Sequence, residues 1–186
     1  MIYLNDNLER FDVEAALPLL SEERRKQVLR YRHELGRKQS AAAYLLLCRA
    51  LQQEYGIKKA PVFEYGEHGK PLITGRPDIH FNLSHCREAV LCAVSDRPVG
   101  VDVESIGRYK ESLARYAMND NEMAQIAAAD SPDVAFIRLW TQKEAVLKLS
   151  GEGLRNDLKQ VLVGFSGRLS TTVNEEKGYV YSVATP

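Results

Sequence analysis

Two short stretches of the chain carry carboxylates at spacings that suit a divalent cation. Between residues 99 and 104, valines alternate with a glycine, Asp102 and Glu104. This is the period of a β-strand, and it places both carboxylates on one face. About forty residues later, Glu144 and Lys148 stand four apart in an apolar pattern of helical spacing, so they share a helix face. We therefore expect Asp102, Glu104 and Glu144 to form a cation site for phosphate chemistry.

Each stretch also has an ordinary explanation when it is taken alone. Asp102 and Glu104 would suit a solvated edge strand, and Glu144 with Lys148 would make a surface ion pair worth about 0.3–0.5 kcal/mol. A basic segment, residues 24–38, is a candidate polyanion-binding edge, although a solvated helix face is the commoner fate of such a run. The rest of the chain has to decide between these interpretations.

The composition is that of a globular protein with no strong overall charge. The 186 residues are 45% hydrophobic and 27% charged, with a formal net charge of zero, so no global field favours nucleic acid. The start of the chain lacks the features of a secretory signal, and the longest apolar segment, residues 41–51, is too short to span a bilayer. Three cysteines without a C-x-x-C pair favour a reduced, cytoplasmic protein. We expect neither a nucleic-acid partner nor a membrane segment.

Periodicity predicts a mixture of helices and strands without regular β-α-β alternation, which favours an α+β fold. A helix opens at Ser21, and another closes at Gly56. A boundary between two halves falls near residues 96–99, and a weak similarity of layout hints at duplication. The predicted strands are 2–4, 61–65, 79–83, 89–94, 99–104, 161–165, 168–173 and 179–184, and the later predicted helices are about 38–54, 113–129 and 134–150.

A loop and a strand end in the first half add residues suited to phosphate. Gly69 permits close backbone approach, and Lys70 supplies a point charge. After the strand at residues 79–83, Ser84 and His85 offer a hydroxyl and an imidazole to phosphate oxygens, while Asn82 is expected to fix the turn by bonding to backbone. A lone histidine beside an apolar strand is about as often a core residue as a ligand.

Four motifs together resemble the Sfp-type 4′-phosphopantetheinyl transferases in order and approximate spacing, over roughly residues 20–155. They are Gly69-Lys70-Pro, Phe81-Asn82-x-Ser84-His85, Gly100-Val-Asp102-x-Glu104, and Trp140-x-x-Lys143-Glu144-Ala-x-x-Lys148-x-x-Gly151-x-Gly153-Leu154. The resemblance implies transfer of the phosphopantetheine arm of coenzyme A to a serine of an acyl or peptidyl carrier protein, with release of adenosine 3′,5′-bisphosphate.

The resemblance also implies an architecture. The family fold is an α+β pseudo-dimer of two similar halves with the active site in the cleft between them. Residues 1–98 would be the half that binds the nucleotide of coenzyme A, and residues 99–186 the half that binds metal and carries the catalytic groups. A site built within one duplicated chain implies a monomer.

Carried over to this sequence, the family's metal ligands are Asp102, Glu104 and Glu144. Oxygen ligands of this kind suit Mg²⁺, for which Mn²⁺ can substitute. Glu144 would be the base, directly or through a metal-bound water. Lys148 would contact the pyrophosphate, and Trp140 would belong to the core.

The nucleotide phosphates would be held by a second group of side chains, with Arg24 at the 3′-phosphate: Arg24, Lys70, Ser84, His85 and Lys148. Arg37, Lys38 and Gln39 compete for the place of the family's nucleotide-binding arginine, and Cys86 stands where the family has serine or threonine. Lys143 is expected on the helix surface.

Two matters stay open. The segment 115–122 would either meet an acidic carrier-protein helix or complete a local core, and we favour the core. The alternatives to transfer are another Mg²⁺-dependent phosphotransferase, or a module that binds coenzyme A or carrier protein without catalysis.

Overall fold

The computed structural model of the chain describes residues 1–66, 68–107, 109–151 and 157–186. Gly153 and Leu154 of the last motif lie outside the described residues. The helices are α1 (Val13–Ala16), α2 (Glu22–Arg30), α3 (Glu34–Tyr55), α4 (Glu111–Ala117), α5 (Asp120–Ala127) and α6 (Pro132–Ser150). The strands are β1 (Ile2–Asn5), β2 (Phe63–Tyr65), β3 (Pro71–Ile73), β4 (His80–His85), β5 (Val90–Ser95), β6 (Gly100–Ser105), β7 (Arg168–Asn174) and β8 (Tyr179–Thr185).

The first half is an antiparallel sheet with a long helix packed on one face. Its strand order is β1-β5-β4, and α3 lies against β5. The apolar stripe of α3 buries Leu47 and Leu51 against Val90 and Cys92 of β5. Gly56 ends α3 in the left-handed conformation, at φ 67°, as its type predicts. The N-cap at Ser21 is likewise confirmed, because its Oγ accepts the N–H of Arg24.

The second half follows the same plan. Its strand order is β6-β8-β7, and α6 packs against β6 and β8. In each sheet the strand that comes last in the sequence lies in the centre and pairs with the other two. In each half the long helix comes, in the sequence, between the first and the second strand of that sheet. The plan restarts at β6. The predicted α+β fold of two similar halves is therefore confirmed.

The two sheets meet through an apolar layer on the faces that point away from α3 and α6. Leu91 and Ala93 of β5 pack there against Val101 and Val103 of β6, and all four side chains are buried. The valines lie on the face of β6 opposite the carboxylates, as the strand period predicts. In the structure this face forms the contact between the halves. This layer fixes the position of β6 relative to the first half.

Several predicted boundaries were wrong. The helix expected at 113–129 is two helices, because Met118 is extended and Asn119 caps α5 with a capping box to Glu122. The strand expected at 161–165 is a series of turns that includes a positive φ at Gly164. Helix α3 begins four residues before the predicted residue 38.

Cys48, Cys86 and Cys92 are free thiols. Burial raises the pKa of Cys92 to about 12 and that of Cys86 to about 11. Among the described residues, no helix is long and apolar enough to cross a bilayer.

Candidate active site

Gly100 of strand β6 allows helix α6 to pack closely against that strand. At Gly100 a Cβ atom would lie 2.0 Å from the carbonyl oxygen of Ala145 and 2.3 Å from the backbone nitrogen of Leu149. Both neighbours are backbone atoms of α6, so only glycine permits this approach. The contact places the α6 turn that carries Glu144 and Lys148 over the face of β6 that carries Asp102.

Asp102 and Lys148 form a close ion pair at that crossing. The Nζ atom of Lys148 lies 2.6 Å from Oδ1 of Asp102 and 3.1 Å from Oγ of Ser84. Ser84 also donates its hydroxyl to the same oxygen of Asp102 at 2.8 Å. The other oxygen, Oδ2, is buried and has no hydrogen-bond partner among the described residues. Asp102 therefore offers an unused acceptor in a buried position.

Two side chains of β4 hold the backbone of β6 on either side of Asp102. The Oδ1 atom of Asn82 accepts the N–H of Val101 at 2.8 Å, and Oγ of Ser84 accepts the N–H of Val103 at 3.2 Å. Asn82 was expected to fix the turn by bonding to backbone, and it does bond to backbone, but to that of β6. Its role across the interface needs a partner nineteen residues away, for which the sequence carries no signal.

Glu144 and Glu104 complete the group of carboxylates around Asp102. Burial raises the pKa of Glu144, and the negative charges of Asp102 and Glu104 raise it further, while Lys148 lowers it. Both glutamates are partly buried. Three neighbouring carboxylates create a place where a cation is favourable.

The donor set suits a hard divalent cation, although the side chains do not converge on one point. Among the described residues, no group of three or more His, Cys, Asp or Glu side chains is arranged to hold a metal ion. The unpartnered Oδ2 of Asp102 and the oxygen chemistry of Glu104 and Glu144 nevertheless fit Mg²⁺. In this structure the Lys148 ammonium supplies the positive charge at Asp102.

Lys70 reaches the same place from the first half. Its Nζ atom donates to the carbonyl oxygens of Lys148 at 2.7 Å and Leu149 at 3.3 Å, at the C-terminal end of α6. A cation is favourable at a helix C-terminus, because the last carbonyl groups are unpaired and carry partial negative charge. Burial lowers the pKa of Lys70.

An open cleft of about 250 Å³ lies beside these groups. Its walls come from both halves: Gly69, Lys70 and Asn82 from the first, and Glu144 and Lys148 from the second. The cleft therefore joins the Gly-Lys-Pro loop to the charged face of α6.

His85 stands at the end of β4, one residue after Ser84. Its side chain keeps accessible surface. Partial desolvation by the surrounding protein lowers the pKa of the imidazole, and the positive charge of Lys148 lowers it further. Beyond it, Gln39 donates to the carbonyl oxygen of Cys86 at 2.8 Å. Arg37 and Lys38 turn elsewhere, to the carbonyl oxygens of Tyr31 and Glu9.

Arg24 is not brought into the cleft. Its guanidinium lies over the ring of Tyr44, 5.1 Å from the centroid, and 5.7 Å from that of Phe63. It lines a separate groove of about 300 Å³ with Gln27, Arg30, Tyr31 and Ser40. The other predicted site residues lie together at the crossing of β4, β6 and α6 or line its cleft.

Lys143 was expected on the helix surface, and this was wrong. Its side chain is 2% exposed, and Nζ lies 2.8 Å from Oε1 of Glu122 and 2.8 Å from the carbonyl oxygen of Leu158. The pair ties α5 and α6 together directly beside Glu144.

The favoured interpretation of segment 115–122, that it completes a local core, fits its packing. Met118 is buried in the core of the second half, and Trp140 packs against that core.

Comparison with known proteins decides the family. Residues 98–183 match the model of the 4′-phosphopantetheinyl transferase superfamily. The chain is 31% identical over 170 residues to the 4′-phosphopantetheinyl transferase psf-1 of Bacillus pumilus, a match covering 90% of this chain and 71% of the relative. The chain belongs to the 4′-phosphopantetheinyl transferase superfamily.

The chain is also similar to two further members of the superfamily. It is 29% identical over 156 residues to the 4′-phosphopantetheinyl transferase Sfp of Bacillus subtilis, covering 82% of this chain and 70% of the relative. It is 35% identical over 138 residues to the 4′-phosphopantetheinyl transferase gsp of Aneurinibacillus migulanus, covering 73% and 57%. The superfamily model covers Asp102, Glu104, Glu144 and Lys148.

Proposed function

We propose that this protein transfers the 4′-phosphopantetheine group of coenzyme A to a serine of an acyl or peptidyl carrier protein. The observation that carries the proposal is the crossing of α6 and β6. It places a buried aspartate with an unused oxygen, a lysine and a glutamate of raised pKa beside a cleft between the two halves. Membership of the superfamily supports the same reaction.

Asp102, Glu104 and Glu144 would hold Mg²⁺, for which Mn²⁺ can substitute. The bound ion would act as a Lewis acid toward the pyrophosphate oxygens and would template the substrate. Among the protein groups, Asp102 is the best supported ligand, because its Oδ2 atom is already desolvated and lacks a partner in the described part of the chain.

The transfer itself forms one bond and breaks one. The carrier serine oxygen attacks the phosphorus that bears the pantetheine arm, and the bond from this phosphorus to the oxygen bridging to the 5′-phosphate breaks. The electron pair leaves with adenosine 3′,5′-bisphosphate, and the serine proton goes to Glu144. Its raised pKa makes Glu144 a stronger proton acceptor than an ordinary glutamate. Lys148 would stabilise the charge on the leaving phosphate.

We assign the nucleotide to residues 1–98 and the metal and catalytic groups to residues 99–186. Lys70, Ser84 and His85 lie near the cleft and would face the phosphates. Arg24, in its separate groove with Arg30, would take the 3′-phosphate. Both halves contribute to the cleft, so one chain suffices, and we propose a monomer.

We place the reaction in the cytoplasm, because the free thiols of Cys48, Cys86 and Cys92 suit a reducing compartment.

The test measures the intact mass of an apo acyl carrier protein after incubation with the protein, coenzyme A and Mg²⁺. We expect a gain of one phosphopantetheine that a chelator prevents and that Glu144→Gln reduces by at least about 100-fold. Glu176→Gln, at an exposed position, is the matched control and should act as the wild type. If several unrelated apo carriers gain no mass although the protein binds coenzyme A measurably, the transfer reaction is contradicted. The protein would then be a module that binds coenzyme A without catalysis.

A further inference from the structure

Lys148 closes the solvent side of the acidic site. Its side chain is 30% exposed, whereas the Asp102 side chain behind it is 5% exposed. The ammonium contacts Oδ1 of Asp102 and Oγ of Ser84, at 2.6 and 3.1 Å. A cation that approached Asp102 from the cleft would therefore meet a positive charge already in contact with the carboxylate.

The backbone beneath Lys148 is fixed, so only its side chain is able to leave. Lys70 donates to the carbonyl oxygen of Lys148, and the approach of Gly100 holds this turn of α6 against β6. The lysine side chain is a flexible four-carbon stem that ends in the ammonium group. A change of partner by the ammonium needs no movement of the helix.

A divalent cation bound at Oδ2 of Asp102 would lie beside the ammonium that already contacts Oδ1 of the same carboxylate. Lys148 pairs with Oδ1 of Asp102 in the free protein and lowers the pKa of Glu144. Binding of a metal ion then requires either displacement of the ammonium or the repulsion of two cations in a partly buried site. An anionic phosphate in the cleft would give the ammonium another partner.

We propose that Lys148 is a resident counter-cation that blocks the metal site of the free protein and moves to the substrate's pyrophosphate when coenzyme A enters. This inference rests on the proposed function and adds to it an order of binding, in which coenzyme A precedes tight binding of the metal ion. Metal binds weakly to the free protein and tightly to the complex with coenzyme A. By linkage, each ligand raises the affinity for the other.

The test is a titration of the metal-free full-length protein with Mn²⁺, followed by electron paramagnetic resonance of the free ion. Lys148→Met and Lys148→Gln remove the charge, and Lys148→Arg keeps it. We expect the two neutral variants to bind Mn²⁺ about 10-fold or more tightly than the wild type without coenzyme A, and Lys148→Arg to stay weak. Lys59→Met removes an exposed lysine charge elsewhere and should leave the affinity unchanged.

A second titration at saturating coenzyme A measures the coupling, with coenzyme A alone as the blank. The increase in Mn²⁺ affinity caused by coenzyme A should be larger in the wild type than in Lys148→Met, within the range of about 5–150-fold that is typical of such coupling. Equal Mn²⁺ affinities of the wild type and both neutral variants, all folded by circular dichroism, would overturn the counter-cation role. A wild type that binds no Mn²⁺ at saturating coenzyme A and modifies no carrier would instead contradict the proposed function.

Discussion

Asn82 on β4 accepts the backbone N–H of Val101 on β6, with 2.8 Å between oxygen and nitrogen. Ser84 does the same for Val103, so the two bonds flank Asp102. In the described part of the chain, strand β6 pairs with a strand on one edge only, and that strand is β8. Side chains of the first half thus take the place of a neighbouring strand on the other edge. The orientation of the central carboxylate of the second half depends on these two residues of the first half.

Asn82→Leu should loosen β6 at one defined position. The change keeps the side-chain volume but leaves the Val101 N–H without its acceptor, which costs about 1–3 kcal/mol. By amide hydrogen exchange, Val101 should lose protection while Val103 keeps it. Ser84→Ala should give the reverse pattern. Equal loss of protection at both amides in Asn82→Leu would mean that the strand responds as a unit and that Asn82 has no local hold on it.

Gly100→Ala tests the close approach of α6 and β6. The new methyl group would overlap two backbone groups of α6, which cannot turn aside as a side chain can. We expect a loss of about 3 kcal/mol or more in the free energy of unfolding, measured in urea. A parallel loss of carrier modification should follow, because Glu144 and Lys148 would move from Asp102.

The control for this change is Gly66→Ala. Gly66 has no positive φ, and its nearest atom to an added Cβ is 3.7 Å away. Alanine fits there, so the stability should stay within about 0.5 kcal/mol of the wild type. A Gly100→Ala variant as stable as Gly66→Ala would refute the steric argument.

The elements that bear the candidate site were predictable because local patterns determine them. Alternating valines predicted β6 and its buried layer, and the apolar repeat predicted α6 to within two residues at its start. The carboxylates were found in the same way. A strand period and a helix period each assign side chains to faces without knowledge of the partner.

The contacts between distant elements were not predictable. Lys143 has the charge of a surface residue, and only the packing of α5 against α6 shows that Glu122 neutralises it. The break at Met118 had a local signal that was missed, because Asn119 and Glu122 have the spacing of a capping box. The turns after residue 160 replaced a strand although valines favour strands, since Val163 is exposed there and Gly164 has a positive φ.

The buried pair of Lys143 and Glu122 predicts strong coupling between two helices. Lys143→Met should cost about 3–5 kcal/mol in urea unfolding, because the Glu122 carboxylate is left buried without its counter-charge. Adding Glu122→Gln to the Lys143→Met variant should restore part of the lost free energy of unfolding. The second change removes the unpaired buried charge and keeps an oxygen that accepts the Asn119 N–H.

A double-mutant cycle supplies the measurement. The two changes should be non-additive, and the double variant should be more stable than Lys143→Met alone. Lys177→Met, which breaks the more exposed pair with Asp6, is the comparison and should cost about 1 kcal/mol or less. Additive effects at Lys143 and Glu122 would show that the pair contributes packing without charge coupling.

Glu144 should destabilise the metal-free protein at neutral pH. Burial and the nearby Asp102 and Glu104 raise its pKa above the ordinary 4.5, so the folded chain holds this proton more tightly than the unfolded chain. The contribution of Glu144 to the free energy of unfolding therefore falls as the pH rises from 4.5 through the raised pKa. Glu144→Gln removes this loss, and its Tm in a chelator should exceed that of the wild type at pH 7 by a margin that shrinks toward pH 4. Calorimetry across this range, with Glu176→Gln as the control, makes the comparison. A margin that does not change with pH, or a lower Tm for Glu144→Gln at pH 7, would contradict an electrostatic origin and leave this carboxylate without the repulsion that a bound cation would relieve.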